Sequence, residues 1–334
     1  MIIEDFEHVP GVHCGSVAMA DLLRWAGHDL SEPMVFGLGS GLGFFYLESD
    51  IMSPSRQIMG RSVDLETNVA EVLGLEMREH RERDAEEAWQ KVRERLDDGV
   101  PVMVQCDLSE LPYWDSQTPF NGHRIVLAGY DETEGIAHVA DTHFEEMQRL
   151  DLEALERARA SDAPPSFGNE FAWWELVPGE IGDLGEAIRR AVARNAEAME
   201  AETQEVGGLR GLASFRDTVT GWRELEDAAW AYRFGYEVVE KRGTGGAMFR
   251  NLYREFLSES VERVPEFGRH QLPVSMSRNA DAWSTLATYM KAMAMFLETD
   301  GEEPGEDPNH HVESMAEAVY QFESTFWDRV DSLF

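Results

Sequence analysis

Between residues 15 and 27 the apolar positions Val17, Ala18, Leu22, Leu23, Trp25 and Ala26 fall at roughly helical spacing, and Gly27 stands where such a helix stops. The pattern predicts a helix that begins at or beside Cys14. A second helix is predicted from Asp84 to Asp98: Ala85, Trp89, Val92 and Leu96 share one face, Asp84 offers a capping carboxylate, and Gly99 follows the last turn. Val100 to Cys106 then reads as a strand. His123 to Tyr130 and Ile136 to Asp141 are short apolar runs on either side of Asp131-Glu132-Thr133-Glu134-Gly135, the form of a hairpin with a glycine-containing loop. Placing Tyr130 opposite Ile136 sets Ile125 opposite Asp141 and His123 opposite His143. His123 and Asp141 are then diagonal neighbours on one face of the sheet, whereas a slip of one residue puts them on opposite faces.

Farther along, Ala160 to Asn169, containing Asp162-Ala163-Pro164-Pro165-Ser166, reads as a linker, and Phe171 to Val177 as a further strand. From Ile181 onward helical periodicity dominates. Leu184, Ile188, Ala191, Val192, Asn195 and Met199 open that half, and Leu286, Tyr289, Met290, Met293 and Phe296 recur near its end. No internal repeat stands out, and the acidic stretch from Thr299 to Asn309 is expected to be a solvated, mobile loop. The expected architecture is therefore α+β, with an N-terminal domain over 1–178 and a mainly α-helical C-terminal domain over 179–334.

Composition narrows the partners more than the fold. The chain has 334 residues, of which 43% are hydrophobic, enough to build one large core or two ordinary ones. A formal charge of −35 argues against nucleic acid or an anionic membrane surface, because attraction to phosphate needs clustered cations. Lys91, Lys241 and Lys291 are the only lysines; nearly all other cations are arginines. Such a surface suits high intracellular salt, since at molar ionic strength the Debye length falls to about 3 Å and self-repulsion is screened. A halophile's protein is expected. Cys14 and Cys106 cannot make a disulfide framework, and neither C-x-x-C nor H-E-x-x-H occurs, so no metal is expected. The start, Met1-Ile2-Ile3-Glu4-Asp5-Phe6-Glu7, lacks a basic and then apolar leader, and no run is long enough to span a bilayer, so a soluble, cytoplasmic protein is expected.

Cys14 lies in Gly11-Val12-His13-Cys14-Gly15-Ser16, directly before the first amphipathic stretch. A thiol at the start of a helix feels the positive end of the helix dipole, which favours its nucleophilic thiolate. His123 and Asp141 follow in the order nucleophile, base, orienting carboxylate. Most free cysteines are simply buried, as Cys106 inside its strand is expected to be. His8, His13, His138 and His143 compete for the part of the base; parity puts His138 on the face away from Asp141, and leaves His143 as the strongest rival.

Two glycine-rich segments are less decisive. Phe36-Gly37-Leu38-Gly39-Ser40-Gly41-Leu42-Gly43-Phe44 fits neither the dinucleotide nor the P-loop spacing, and reads better as a tight backbone shelf beside the active site, with Gly39, Ser40 and Gly41 touching substrate. Arg242-Gly243-Thr244-Gly245-Gly246, with Arg250 nearby, is either an anion nest for the phosphate of a carrier's prosthetic arm or a glycine-rich turn joining two helices. His310-His311, in the acidic stretch, is expected to bind nothing.

These residues resemble a known family. Gly11 to Ser16, Ser31-Glu32-Pro33-Met34, Phe36 to Gly41 and Gly122-His123-Arg124 together resemble the N-terminal domain of the butirosin biosynthesis protein H family. Lys241 to Arg250 resembles the uncharacterised helical domain that usually follows it. The resemblance implies a papain-like cysteine-protease fold, similar to the leader-peptidase branch, with Cys14, His123 and Asp141 as its triad. It implies an acyltransferase that takes an acyl group from a carrier-protein thioester and passes it to a small amine, using a phosphopantetheine arm on the acyl carrier protein rather than a permanently bound cofactor. Papain-like enzymes usually carry a glutamine oxyanion donor about six residues before the nucleophile; that position here is His8, whose ring could donate the same bond. The same triad would also serve a cysteine hydrolase, acting as an amidase or thioesterase, and a binding scaffold without catalysis is the third reading. The helical half is expected to close over the site and choose the acceptor, and its apolar stripes leave a homodimer open.

Overall fold

The computed structural model describes residues 1–164, 170–201, 206–299 and 307–334. In chain order these form α1 (Cys14–Trp25), α2 (Glu32–Leu38), β1 (Leu42–Glu48), β2 (Arg56–Arg61), α3 (Leu65–Leu73), β3 (Glu76–His80), α4 (Ala85–Asp97), β4 (Val102–Cys106), β5 (His123–Asp131), β6 (Ile136–Ala140), β7 (Gln148–Asp151), α5 (Leu152–Ala160) and β8 (Trp173–Val177). Helices follow: α6 (Leu184–Glu200), α7 (Gly208–Thr218), α8 (Ala228–Glu240), α9 (Arg250–Ser260), α10 (Pro265–Arg269), α11 (Leu272–Glu298) and α12 (Asn309–Asp331). The protein is α+β, with its main sheet in the N-terminal part and helices in the C-terminal part.

The chain forms two compact units, one of 1–35 and 66–182, the other of 36–65 and 183–334. The division is therefore not a single cut: β1, β2 and the glycine-rich segment before them belong to the helical unit.

In the first unit six antiparallel strands run in the order β3-β8-β4-β5-β6-β7. Val102, Val104, Cys106, Ile125, Leu127, Ala137 and Val139 alternate inward and meet Val92 and Leu96 of α4 and Leu155 and Ala158 of α5 in one apolar cluster. The helix ends follow local chemistry. Asp84 accepts from the Glu87 N–H at 2.9 Å to cap α4, and Gly99, at φ 77°, takes the left-handed turn that ends it.

The β5–β6 hairpin carries a register change. Asp131 faces Ile136 and Gly129 faces His138, but beyond an irregularity between Leu127 and Gly129 the pairs become Leu127 with Val139 and Val126 with Ala140. At the turn the register differs by one residue from that expected, and the bulge at Ala128 restores the expected one where His123 and Asp141 meet. A side chain at Gly129 would lie 2.3 Å from the Met1 carbonyl oxygen, because the chain start crosses β5 there and Ile2 bridges to Gly129.

In the second unit β1 and β2 form an antiparallel pair, and α11 packs against α8, α9 and α12. At its centre Arg250 and Glu323 are fully buried and joined at 2.7 Å. Of the expected linker, Ala160 ends α5, residues 161–164 continue without regular structure, and 165–169 lie outside the described residues. Of the acidic stretch, residues 300–306 likewise lie outside them. His310 and His311 are in the first turn of α12, not in a loop, and His311 stacks on Tyr289.

Candidate active site

Cys14 is the first residue of α1, partly exposed, and α1 lies against β5 and β4. His13 caps the helix: its Nδ1 accepts from the Ser16 N–H at 3.2 Å, which puts the ring proton on Nε2. Glu32 of α2 fixes the approach, accepting from the N–H groups of Val12 at 2.9 Å and His13 at 2.7 Å and from the Ser16 hydroxyl at 3.0 Å. The fit explains Gly11, where a side chain would stand 2.3 Å from a Glu32 oxygen. Burial raises the Glu32 pKa against the lowering effect of those three donors.

His123 opens β5 and Asp141 follows β6, and both are buried. His123 Nε2 donates to Asp141 Oδ1 at 2.8 Å. That bond leaves Nδ1 as the nitrogen free to serve the thiol. Burial opposes the charge on His123, but the charge and hydrogen bond of Asp141, then the hydrogen bond and charge of Cys14, push its pKa up to about 10. The three side chains are thus brought together. Burial disfavours the Asp141 carboxylate as well, yet His123, Trp114 and Tyr113 outweigh it and hold its pKa below the usual value.

Tyr113 and Trp114 were not legible as site residues. They sit in a single 3₁₀ turn, Pro112–Trp114, and both reach Asp141 Oδ2, the hydroxyl at 3.0 Å and the indole N–H at 2.7 Å. The Trp114 ring also stands edge-on to His123, centroids 5.5 Å apart at 87°. Asp107 anchors the segment that carries them: its Oδ1 accepts from the N–H groups of Ser109 and Phe120, and its Oδ2 from the Ser161 hydroxyl. A tyrosine-tryptophan pair in a polar loop, outside any apolar periodicity, was the one signal available.

The other expected site residues are placed differently. His8 has both ring nitrogens engaged, Nδ1 with Asp21 Oδ2 at 2.5 Å and Nε2 with the Phe144 carbonyl at 2.9 Å, so neither is left to donate to an oxyanion. His143 is exposed and donates from Nδ1 to the Gly11 carbonyl at 3.0 Å, not to Asp141. Cys106 is fully buried, and burial raises its pKa far above that of an ordinary thiol.

In the helical unit, Gly39, Ser40 and Gly41 link α2 to β1, and the buried Ser40 hydroxyl donates to the Ala191 carbonyl at 2.9 Å. Arg242 is bonded to Glu237 and lies over Phe234, and the Thr244 hydroxyl donates to the Val239 carbonyl, so both serve the turn that joins α8 to α9. Gly245 and Gly246 begin a run of positive φ that continues through Ala247, Met248 and Phe249 at 51°, 49° and 70°. Such angles cost a non-glycine residue about 1–2 kcal/mol each. Burial of Met248 and its carbonyl's bond from Arg250 hold the run in place. Among the described residues no group of three or more His, Cys, Asp or Glu is placed to hold a metal, and no helix is long and apolar enough to cross a membrane.

A sheet-bearing unit with cysteine, histidine and aspartate converging at one end of a helix is followed by a long helical region. Comparison with known families matches residues 13–142 to "Butirosin biosynthesis protein H, N-terminal" and residues 153–330 to a "Domain of unknown function (DUF4872)". The chain belongs to the family that joins these two, as its motifs suggest. No curated protein matches it.

Proposed function

We propose that the N-terminal unit is a cysteine-dependent acyltransferase of biosynthesis with a papain-like arrangement. The observation that carries this reading is a partly exposed Cys14 at a helix start beside a buried His123 whose far nitrogen is locked by Asp141. Isolated buried ion pairs contribute little net stability, so one placed against a nucleophile is better explained by chemistry. A nucleophile-bearing helix against an antiparallel sheet, with the base opening a central strand, supports the papain-like part.

In the first half-reaction His123 holds the proton of Cys14, the sulfur attacks a thioester carbonyl, and the carbonyl oxygen gathers negative charge. Collapse breaks the donor C–S bond; the donor thiol leaves with the proton from His123, and the acyl group stays on Cys14. An amine then attacks the new thioester, His123 takes its proton, and the C–S bond to Cys14 breaks to release an amide and restore the pair. The Cys14 backbone N–H is the donor proposed for the oxyanion; one such donor typically lowers the barrier by about 3 kcal/mol.

The proposed donor is an acyl group on the phosphopantetheine arm of a carrier protein, the proposed acceptor a small amine selected by the C-terminal domain, and the proposed setting a cytoplasm rich in salt. Incubation with an acyl thioester, with and without candidate amines, tests the reaction. Amide formed at the expense of free acid is expected. Acid released at the same rate in both mixtures identifies a hydrolase, and no acylation of Cys14 overturns the enzyme reading.

A further inference from the structure

His8 has a bonding pattern that fixes its charge. A neutral imidazole offers one donor and one acceptor, whereas Asp21 Oδ2 and the Phe144 carbonyl are both acceptors, 2.5 Å and 2.9 Å from its two nitrogens. Both nitrogens must therefore carry hydrogen. The side chain is 3% exposed and that of Asp21 1%, so the pair is shielded from water. Asp21 is itself completed by the Val9 N–H at 3.2 Å and by Arg24 at 3.0 Å.

The two partners belong to the two halves of the candidate site. Asp21 lies seven residues after Cys14, two turns along α1 and on the same side of it. Phe144 closes a turn on Asp141, its N–H bonding to the Asp141 carbonyl at 3.0 Å. Its ring meets Tyr113 and Trp114 edge-on, at 5.2 Å and 5.4 Å, and these are the two donors on Asp141 Oδ2. Two further links join the same segments, Gly11 N–H to the Thr142 carbonyl and His143 to the Gly11 carbonyl, and neither requires a buried cation.

We propose that His8, as an imidazolium, is a positioning residue: it clamps the helix that carries Cys14 to the turn that carries Asp141, and so sets the alignment of the thiolate with His123. The clamp rests on reading Cys14 and His123 as a reactive pair. The charged groups facing His8 are Asp21 and, through it, Arg24 on α1, and Asp141 at the turn. Burial works against the charge, but the hydrogen bond and charge of Asp21, the Phe144 carbonyl and the charge of Asp141 overcome it and raise the pKa above the ordinary imidazole value. Because the folded value is raised, the clamp is complete below the ordinary imidazole value and is released as pH climbs through the raised one.

The test is the rate of iodoacetamide alkylation of Cys14 from pH 6 to 11, mapped by mass spectrometry, in the full-length protein and in His8→Gln. Wild type is expected to react about tenfold faster than the variant near pH 6, the size of one lost charge-assisted bond, with the ratio falling toward one where wild-type His8 has lost its proton. A purely structural loss gives a ratio that does not change with pH and overturns the clamp. Asp21→Asn, which keeps the shape and removes the charge, is expected to move the fall in the ratio against His8→Gln to lower pH. Nitrogen-15 histidine spectra of wild type supply a reading independent of any variant: both His8 nitrogens protonated at pH 6 supports the clamp, and a neutral ring there overturns it. If wild-type Cys14 shows no thiolate reactivity below pH 7, the reactive-pair reading fails instead, while the spectra still judge the charge on His8.

Discussion

The buried charge pair at the candidate site, His123 with Asp141, and the buried pair of the helical unit, Arg250 with Glu323, are finished differently. In the helical unit Glu323 accepts from Arg250 and Trp283 on one oxygen and from Trp327 on the other, at 2.7, 2.8 and 2.9 Å. Arg250 spends a further N–H on the Met248 carbonyl and lies 5.1 Å from the centroid of Trp283. The pair is closed on all sides, and a guanidinium does not lose its proton in proteins. In the sheet unit Asp141 is closed as thoroughly, by His123, Tyr113 and Trp114, but His123 turns its second nitrogen toward a partly exposed thiol and can exchange its proton. Burial of charge is common to both. What marks the second as a site is a titratable ring whose second nitrogen is turned to a nucleophile instead of to a fixed structural partner.

Three experiments press on that contrast. Asp141→Asn is expected to have the largest effect, slowing acylation of Cys14 by about 10³- to 10⁴-fold because His123 loses its tautomer and orientation. Single-turnover kinetics measure it, and a loss below tenfold would leave the pair no more chemical than its counterpart. Arg250→Met should act on stability, lowering it by about 3–5 kcal/mol in urea because Glu323 is left buried and unpaired, whereas Arg250→Met with Glu323→Leu should recover most of the loss. The smallest effect concerns salt. Molar KCl is expected to stabilise the whole chain through its −35 surface, while the stability gap between wild type and Arg250→Met changes by less than about 0.5 kcal/mol, since a fully buried pair is not screened. Equal melting in dilute buffer and molar KCl would remove the halophile reading.

Local elements were legible where one residue type does one job. The Asp84 cap, the Gly27 and Gly99 stops, the strand ending at Cys106 and the two runs of the hairpin follow from spacing and turn chemistry alone. The convergence of Cys14, His123 and Asp141 was anticipated from chain order, whereas the strand parity offered for His123 and Asp141 assumed Tyr130 opposite Ile136; Tyr130 faces Ala137, and only the bulge at Ala128 restores the expected register nearer the site. Contacts made from loops were not. Trp114 and Tyr113 reach Asp141 only because Asp107 folds their segment back, and no periodicity records such a return. His8 was visible as a polar residue near the nucleophile, but its role depends on which acceptors surround it. The glycine-rich segment 36–44 lies within the residues matched to the N-terminal family, as its motif implies, but no sequence pattern signals that β1 and β2 pack with the helical unit.

The bulge at Ala128 steps the register of the β5–β6 hairpin by one residue. Pairing at the distal tip is out of step by one residue with pairing at the end where His123 and Asp141 meet, so the facing of that pair is set by the bulge and not by the turn. The tip from Asp131 to Gly135 is thereby an accommodating place for drift in length during evolution, or for grafting a reporter, with the chemistry left facing the way it does now.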